Sequence, residues 1–220
     1  MAAPPSSRDS APRDPARSHR ELAAALGGID ILLLDQVLRG RFDRRPRVLD
    51  IGCGKGRNSI WLLRSGHEVH AIDADPAAIE SLRRAAAELR PDLPAENFRA
   101  AEIESDDLPA TSFDAVLSIA VLHFARDAAH FERVLRSSWR PLRPGGLFFC
   151  RLATSIGLEG RTAPLGGGRH RLGDGSDRFL IDRDAIEGWT RRLGGRLLDP
   201  VKTTLVEEMR AMTTWVLERE

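Results

Sequence analysis

The sequence predicts an α/β fold built on a doubly wound, mostly parallel sheet with helices on both faces, and three observations predict it. Short apolar runs alternate with helical patterns between residues 48 and 152, as strands do when crossover helices join them in parallel. The first run, Val48-Leu49-Asp50-Ile51, opens through Gly52, Gly54 and Gly56 before a helical pattern resumes at Ile60. A strand therefore passes through a tight loop into a helix start. Residues 197–204 and 211–219 read as two strands joined by a polar turn at Glu207-Glu208, which places a late antiparallel strand in the sheet.

Taken in order, residues 1–19 carry Pro4, Pro5, Pro12 and Pro15 with little to bury, and are expected to form a disordered tail before a single domain over 20–220. A helical pattern covers 21–38, broken at Gly27-Gly28, with Ile31, Leu34 and Leu38 on one face. After the glycine loop a short helix ends at Gly66, and a second strand over 68–72 carries Asp73 at its tip. Asp75-Pro76 is a helix start, a capping acid followed by proline at the first helical position, and Ile79, Leu82, Ala86 and Leu89 continue a buried stripe. Strands follow over 97–101, 115–119 and 147–152, with a helix opened by Asp127 between the last two. Residues 154–177 show no helical period and are glycine-rich. Long unpatterned segments inside a compact domain are usually functional, so 153–178 is read as a substrate-lid loop, with a solvated hairpin as the alternative. Asp182 or Asp184 starts the last helix, which stops at Gly194-Gly195.

With 220 residues the chain suits one α/β domain, which at that size buries about 70% of its unfolded surface. Net charge is +1, so no global field draws the chain to nucleic acid or an anionic membrane, and a diffusible small molecule is the expected partner. The two cysteines, Cys53 and Cys150, are too few for a disulfide framework, and a reduced, cytoplasmic setting is expected. No apolar run approaches the ~20 residues of a membrane span. The first twenty residues lack the pattern of a secretory signal.

The glycine loop bears the chemistry. Without Cβ atoms such a loop lets a ligand lie against its backbone, and the next helix offers free N–H groups. A carboxylate at position 73, about twenty residues beyond the glycines, is placed to accept hydrogen bonds from both hydroxyls of a ribose. The dinucleotide fingerprint G-x-G-x-x-G wants a third glycine where Arg57 stands, no tyrosine occurs, and no G-x-x-x-x-G-K-[ST] is present. These departures count against a dehydrogenase and exclude a P-loop.

The string from Val48 to Gly56, with Val69-His70-Ala71-Ile72-Asp73, Phe113-Asp114-Ala115-Val116-Leu117-Ser118 and Leu142-Arg143-Pro144-Gly145-Gly146, resembles the class I S-adenosylmethionine-dependent methyltransferases over residues 45–152. Arg178-Phe179-Leu180 and Met212-Thr213-Thr214-Trp215-Val216-Leu217 are distantly similar to bacterial small-molecule members of the tellurite-resistance type. The resemblance implies a seven-stranded sheet in the order 3-2-1-4-5-7-6, S-adenosylmethionine as cofactor with S-adenosylhomocysteine as product, and an N-terminal helical cap, residues 20–42, across the cofactor mouth.

Carried onto this sequence, the resemblance implies that Asp50 orients the loop and the cofactor's amino group and that Gly52, Cys53 and Gly54 admit the cofactor, with Asn58 beside them. Asp73 and Ala74 meet the ribose, Ser118 and Ile119 the methionine half, and Ile103 the adenine together with an acid of the stretch Glu102, Glu104, Asp106 and Asp107, Glu102 first among them. Arg57 is a candidate for the cofactor carboxylate or for a substrate, or an ordinary surface charge. No metal ligand is expected. The loop after the fourth strand lacks the Asn/Asp-Pro-Pro-aromatic element of base-amine methyltransferases and the paired glutamates of protein arginine methyltransferases, which leaves a small-molecule acceptor. His123 in that loop is the candidate base, its chemistry suited to proton removal near neutral pH, unless it merely packs beneath the loop. Arg151, Arg169 and His170 are candidates for an anionic group on the acceptor. An NAD-binding oxidoreductase and a non-catalytic S-adenosylmethionine-binding protein remain as alternatives.

Overall fold

The computed structural model describes residues 15–105 and 108–220. The expected tail lies outside the described residues as far as residue 14, and α1 (Pro15–Leu26) begins ahead of the helical pattern read from Glu21. Gly27, at φ +59°, ends it. Asp30 then caps α2 (Ile31–Leu38), its carboxylate accepting from the N–H groups of Leu32 at 2.9 Å and Leu33 at 3.4 Å.

The alternating segment follows as β1 (Arg47–Ile51), α3 (Ser59–Arg64), β2 (Glu68–Asp73), α4 (Pro76–Leu89), β3 (Phe98–Ala100), β4 (Phe113–Ile119), α5 (Ala128–Trp139) and β5 (Leu142–Ala153). Asp75 and Asp127 cap α4 and α5, accepting from Ala77 and His130 N–H groups at 2.9 and 2.7 Å, which is why those helices begin where they do. Residues of β1 and β4 alternate between two buried faces. Leu49, Ile51 and Val116 pack with Phe148 and Trp215 beneath α5 and α6 (Arg183–Arg192), whereas Val48, Ala115 and Leu117 pack with Val69, Leu62 and Phe149 beneath α2, α3 and α4. A strand buried on both sides reads as a continuous apolar run, and each such side chain contributes about 1.5–3 kcal/mol through its burial.

The main sheet runs β10-β11-β5-β4-β1-β2-β3, where β10 is Lys202–Val206 and β11 is Arg210–Arg219. β9 (Gly195–Leu197) also pairs with β11, antiparallel and beyond β10 along the same strand. Counting β9 and β10 as one interrupted strand gives the expected order, with β11 antiparallel to its neighbours. The run expected over 197–204 is split because Pro200 cannot donate to a ladder, while the Asp199 carboxylate turns to Arg41 at 2.8 Å and Gln36 at 2.9 Å. That contact ties α2 to the sheet edge.

Within the segment 153–178, read as a substrate-lid loop or a solvated hairpin, the chain forms most of a three-stranded antiparallel meander of β6 (Ala163–Gly166), β7 (Arg169–Arg171) and β8 (Asp177–Phe179). Strands of three or four residues are too short to show a period. Gly166-Gly167-Gly168 is their turn, and Phe179 anchors the meander by stacking on Phe131 of α5 at 5.0 Å.

Candidate functional site

Strand order reverses between β1, which leads outward to β2, and β4, which leads the other way. A crevice opens at the carboxyl ends of strands at such a reversal. Here it is a cleft of about 310 Å³ with Gly52 on its floor, Asp73 and Ala74 from the end of β2, Glu102 and Ile103 from the loop after β3, and Leu122 and Phe124 from the 3-10 turn after β4. Of the residues expected at a cofactor, Gly52, Asp73, Ala74, Glu102 and Ile103 are thus brought to one cavity. Asp106 and Asp107, in the same acidic stretch, lie outside the described residues.

The loop glycines differ in what they admit. A Cβ on Gly56, at φ +87°, would fall 2.4 Å from Leu82 Cδ1, so that glycine lets the loop settle on α4. A Cβ on Gly54, at φ +53°, would meet nothing within 4 Å. The backbone there borders open space, as a surface that receives a ligand must. The Gly54 N–H donates to Asp73 Oδ2 at 2.7 Å, and the Asp75 N–H donates to Asp73 Oδ1 at 2.9 Å. Two backbone amides therefore fix the carboxylate that the sequence placed at the tip of the second strand. Its remaining lone pairs are free for the hydroxyls of a sugar.

Beneath the loop, Asp50 is buried and accepts from the Ser59 hydroxyl at 2.6 Å, and burial raises its carboxyl to about 6. It braces the loop against α3 and does not line the cleft. Cys53 is buried too, its Sγ directed at the Gly54 carbonyl oxygen at 3.4 Å, and burial pushes its thiol up. A thiol held protonated is a poor nucleophile. Ser118 and Ile119 are buried inside β4, and the cleft wall is made instead by the next residues, Ala120 to Leu122. Ala120 takes φ +61° as the chain turns there.

Three other expected residues are already engaged. Asp30, the cap of α2, forms an ion pair with Arg151 at the end of β5 and lies 3.6 Å from Arg57, while its N–H donates to Asn58 Oδ1 at 2.9 Å. Arg57, Asn58 and Arg151 consequently hold the N-terminal helices over the carboxyl ends of β1 and β5. None of the three lines the cleft. The loop-to-helix contact was not legible from sequence because Asp30 reads only as a capping residue.

His123 is placed as a side chain packed beneath the loop, the alternative to its role as a base. It is buried, its Nδ1 accepts the Ala153 N–H at 3.0 Å, and burial with the nearby Arg178 charge lowers its pKa to about 4. A neutral imidazole whose Nδ1 accepts must carry its proton on Nε2, so no lone pair remains to take a proton. The histidine that does line the cleft is His130, which sequence reasoning missed. Its Nδ1 accepts the Arg126 N–H at 3.0 Å and its Nε2 bonds Glu104 Oε1 at 2.6 Å. Arg169 and His170 stand on β7 outside the cleft, His170 bonded to Thr162 Oγ1 at 2.9 Å. From the same meander it is Arg178 that reaches the site, its guanidinium 4.8 Å above the ring of Phe124. Among the described residues no cluster of His, Cys, Asp and Glu is arranged to hold a metal ion.

Comparison with known proteins agrees with this architecture. A family model described as a methyltransferase domain matches residues 49–150. The ubiquinone biosynthesis O-methyltransferase of Methylocella silvestris is 39% identical over 115 residues, 50% of this chain and 43% of that protein. The tRNA U34 carboxymethyltransferase of Pseudoalteromonas atlantica is 30% identical over 174 residues, 77% of this chain and 50% of that one. The chain spans about half the length of these curated relatives. Among solved structures, the 1,6-didemethyltoxoflavin-N1-methyltransferase of Burkholderia thailandensis superposes with a TM-score of 0.63 at 18% identity, covering 93% of this chain and 82% of that one. The glycine loop, the acid after it and the reversal of strand order fall within or beside the matched segment, and the domain they form belongs to the class I S-adenosylmethionine-dependent methyltransferases.

Proposed function

We propose that the chain transfers a methyl group from S-adenosylmethionine to a small-molecule acceptor. The observation that carries this reading is the Asp73 carboxylate, fixed by the Gly54 and Asp75 amides at the edge of an open cleft. When bound, the cofactor supplies a sulfonium methyl for in-line displacement. Asp73 would hold the ribose hydroxyls, Ile103 would pack on the adenine face, Glu102 would accept from its amine, and the bare backbone at Gly54 would leave room for the sulfur-bearing portion. Asp50, through Ser59, keeps that loop in place. The protein's main task in such a reaction is alignment and exclusion of water.

A reduced, cytoplasmic setting belongs to the same reading, supported by Cys53 and Cys150 being unpaired and buried. No described helix is long and apolar enough to cross a membrane. A second reading, with a tRNA uridine as acceptor, is favoured by the relative named for tRNA U34, while the balanced net charge of +1 favours a small molecule. Calorimetric titration with S-adenosylhomocysteine, then incubation of labelled S-adenosylmethionine with a panel of small phenols, thiols, amines and carboxylates and with total tRNA, tests both. Micromolar binding and label in a small molecule are expected. Binding of NAD with no response to S-adenosylhomocysteine would select the oxidoreductase, and cofactor binding without any labelled product would select a non-catalytic binder.

A further inference from the structure

Resting on the methyl-transfer reading, we propose that the acceptor is a planar aromatic carboxylate, stacked on Phe124 and paired with Arg178, and that the methyl goes to its carboxylate oxygen. Phe124 ends the 3-10 turn after β4 and lines the cleft, yet its side chain is 56% exposed. Arg178 arrives from β8 of the meander and lies over that ring. Its guanidinium donates to the Asp177 carbonyl at 2.8 Å, and among the described residues no carboxylate forms an ion pair with it. Asp174 and Asp177 feel its charge only from farther off. A half-exposed ring with an incompletely engaged guanidinium over it is a surface for a flat anion, since guanidinium recognises carboxylate in two-pronged fashion and the uncovered part of the ring supplies stacking area.

The state of the histidines points the same way. Nδ1 of His123 is taken by the Ala153 N–H, and His130 uses both ring nitrogens, one for the Arg126 N–H and one for Glu104. Neither can accept a proton from an acceptor hydroxyl or ammonium. A carboxylate needs no such help. Its oxygen forms the new O–C bond as the S–C bond breaks, and the electron pair of that bond goes to sulfur. One negative and one positive charge become a neutral methyl ester and a neutral thioether, and no proton moves. The cleft's other wall, with Asp73, Glu102 and Glu104, would repel a second anion, so the carboxylate is driven to the Arg178 side.

The test is calorimetry on protein saturated with S-adenosylhomocysteine, titrated with salicylate, benzoate and indole-3-acetate and with the carboxamide of each. At least one acid should bind about tenfold more tightly than its amide, the scale of a charge-assisted pair. Arg178→Gln should bring acid and amide to within about twofold, and Phe124→Leu should weaken both by a similar factor. Arg178→Gln should keep the melting temperature and the affinity for S-adenosylhomocysteine. With S-adenosylmethionine, the methyl ester of the bound acid should be found by mass spectrometry. Equal binding of acids and amides, no binding of any acid to the loaded protein, or label recovered only in RNA would each overturn the assignment while leaving methyl transfer standing. Failure to bind S-adenosylhomocysteine at all would remove the methyl-transfer reading and this one with it.

Discussion

Replacing Asp73 with alanine separates a ribose ligand from a loop brace, because the structure gives this carboxylate both tasks. Its two oxygens already accept from Gly54 and Asp75 N–H groups, at 2.7 and 2.9 Å. Four lone-pair sites less these two leave two for a diol. A hydrogen bond to a charged group contributes about 1.5–3 kcal/mol, but water takes the place of the lost partner at a half-buried site, so a net loss of about 1–3 kcal/mol is expected for S-adenosylhomocysteine, or about 5- to 150-fold in Kd. Asp73→Asn should fall between, since its amide NH2 must face one of the two backbone donors. The brace is measured apart from the ligand with a 2′,3′-dideoxy analogue, which has no diol to lose, in a double-mutant cycle read by calorimetry. Wild-type protein should prefer the natural nucleoside strongly and the alanine variant only weakly. Equal losses for both ligands would mean that Asp73 only orders the glycine loop, and an affinity unchanged within about twofold would refute the ribose assignment outright.

Three further outcomes follow from the geometry. Gly56→Ala forces a Cβ to within 2.4 Å of Leu82 Cδ1 at φ +87°, and should cost about 2–4 kcal/mol in urea unfolding; Gly54→Ala, with open space around it, should destabilise less and weaken S-adenosylhomocysteine more. Asp30→Ala strands Arg151, which is only 18% exposed, and uncaps α2; a loss of about 3–5 kcal/mol is expected, with faster hydrogen exchange in α2. His123 and Asp50 should oppose each other in pH dependence: the histidine pKa falls from 6.5 to about 4 on folding, so its contribution is full above 6.5 and is lost as pH falls toward 4, whereas the aspartate pKa rises from 3.8 to about 6, so stability is lost as pH rises through that window. Each amounts to about 3 kcal/mol, and urea midpoints from pH 4 to 7 should rise with pH in Asp50→Asn and fall with pH in His123→Phe.

The sheet was legible because its signals are local and redundant. β1 and β4 are mostly apolar since both faces are covered, and Asp75-Pro76 and Asp127 mark helix starts through bonds that span two or three residues. β6 to β8 were legible only as the hairpin alternative, as a three-residue strand has no period and is held by Phe179 against Phe131, 48 positions away in sequence. The split of the sixth strand carried a signal, Pro200, that a longer apolar reading overrode. The start of α1 at Pro15 is the position at which proline suits a helix, although the residues beyond it read as tail.

At the site, residue type was legible and availability was not. Asp73 could be assigned from sequence because its task depends on a loop about twenty residues away whose geometry glycine spacing dictates. His123, Arg57 and Arg151 have the right chemistry for a base and for carboxylate ligands, yet each is engaged by a group that no local pattern announces: the Ala153 N–H on β5, or the carboxylate of Asp30. The same physics identifies what the sequence passed over. His130 pairs with Glu104 across 26 positions, and Arg178, without an ion-pair partner among the described residues, crosses from a meander that read as a lid loop or a hairpin to lie on Phe124. A buried cation is retained in a fold where a carboxylate neutralises it, which is why Arg151 is structural; a cation left beside an exposed ring at a cleft is charge that the fold itself does not use, and that difference, not residue identity, separates the arginine that holds the protein together from the one that can hold an acceptor.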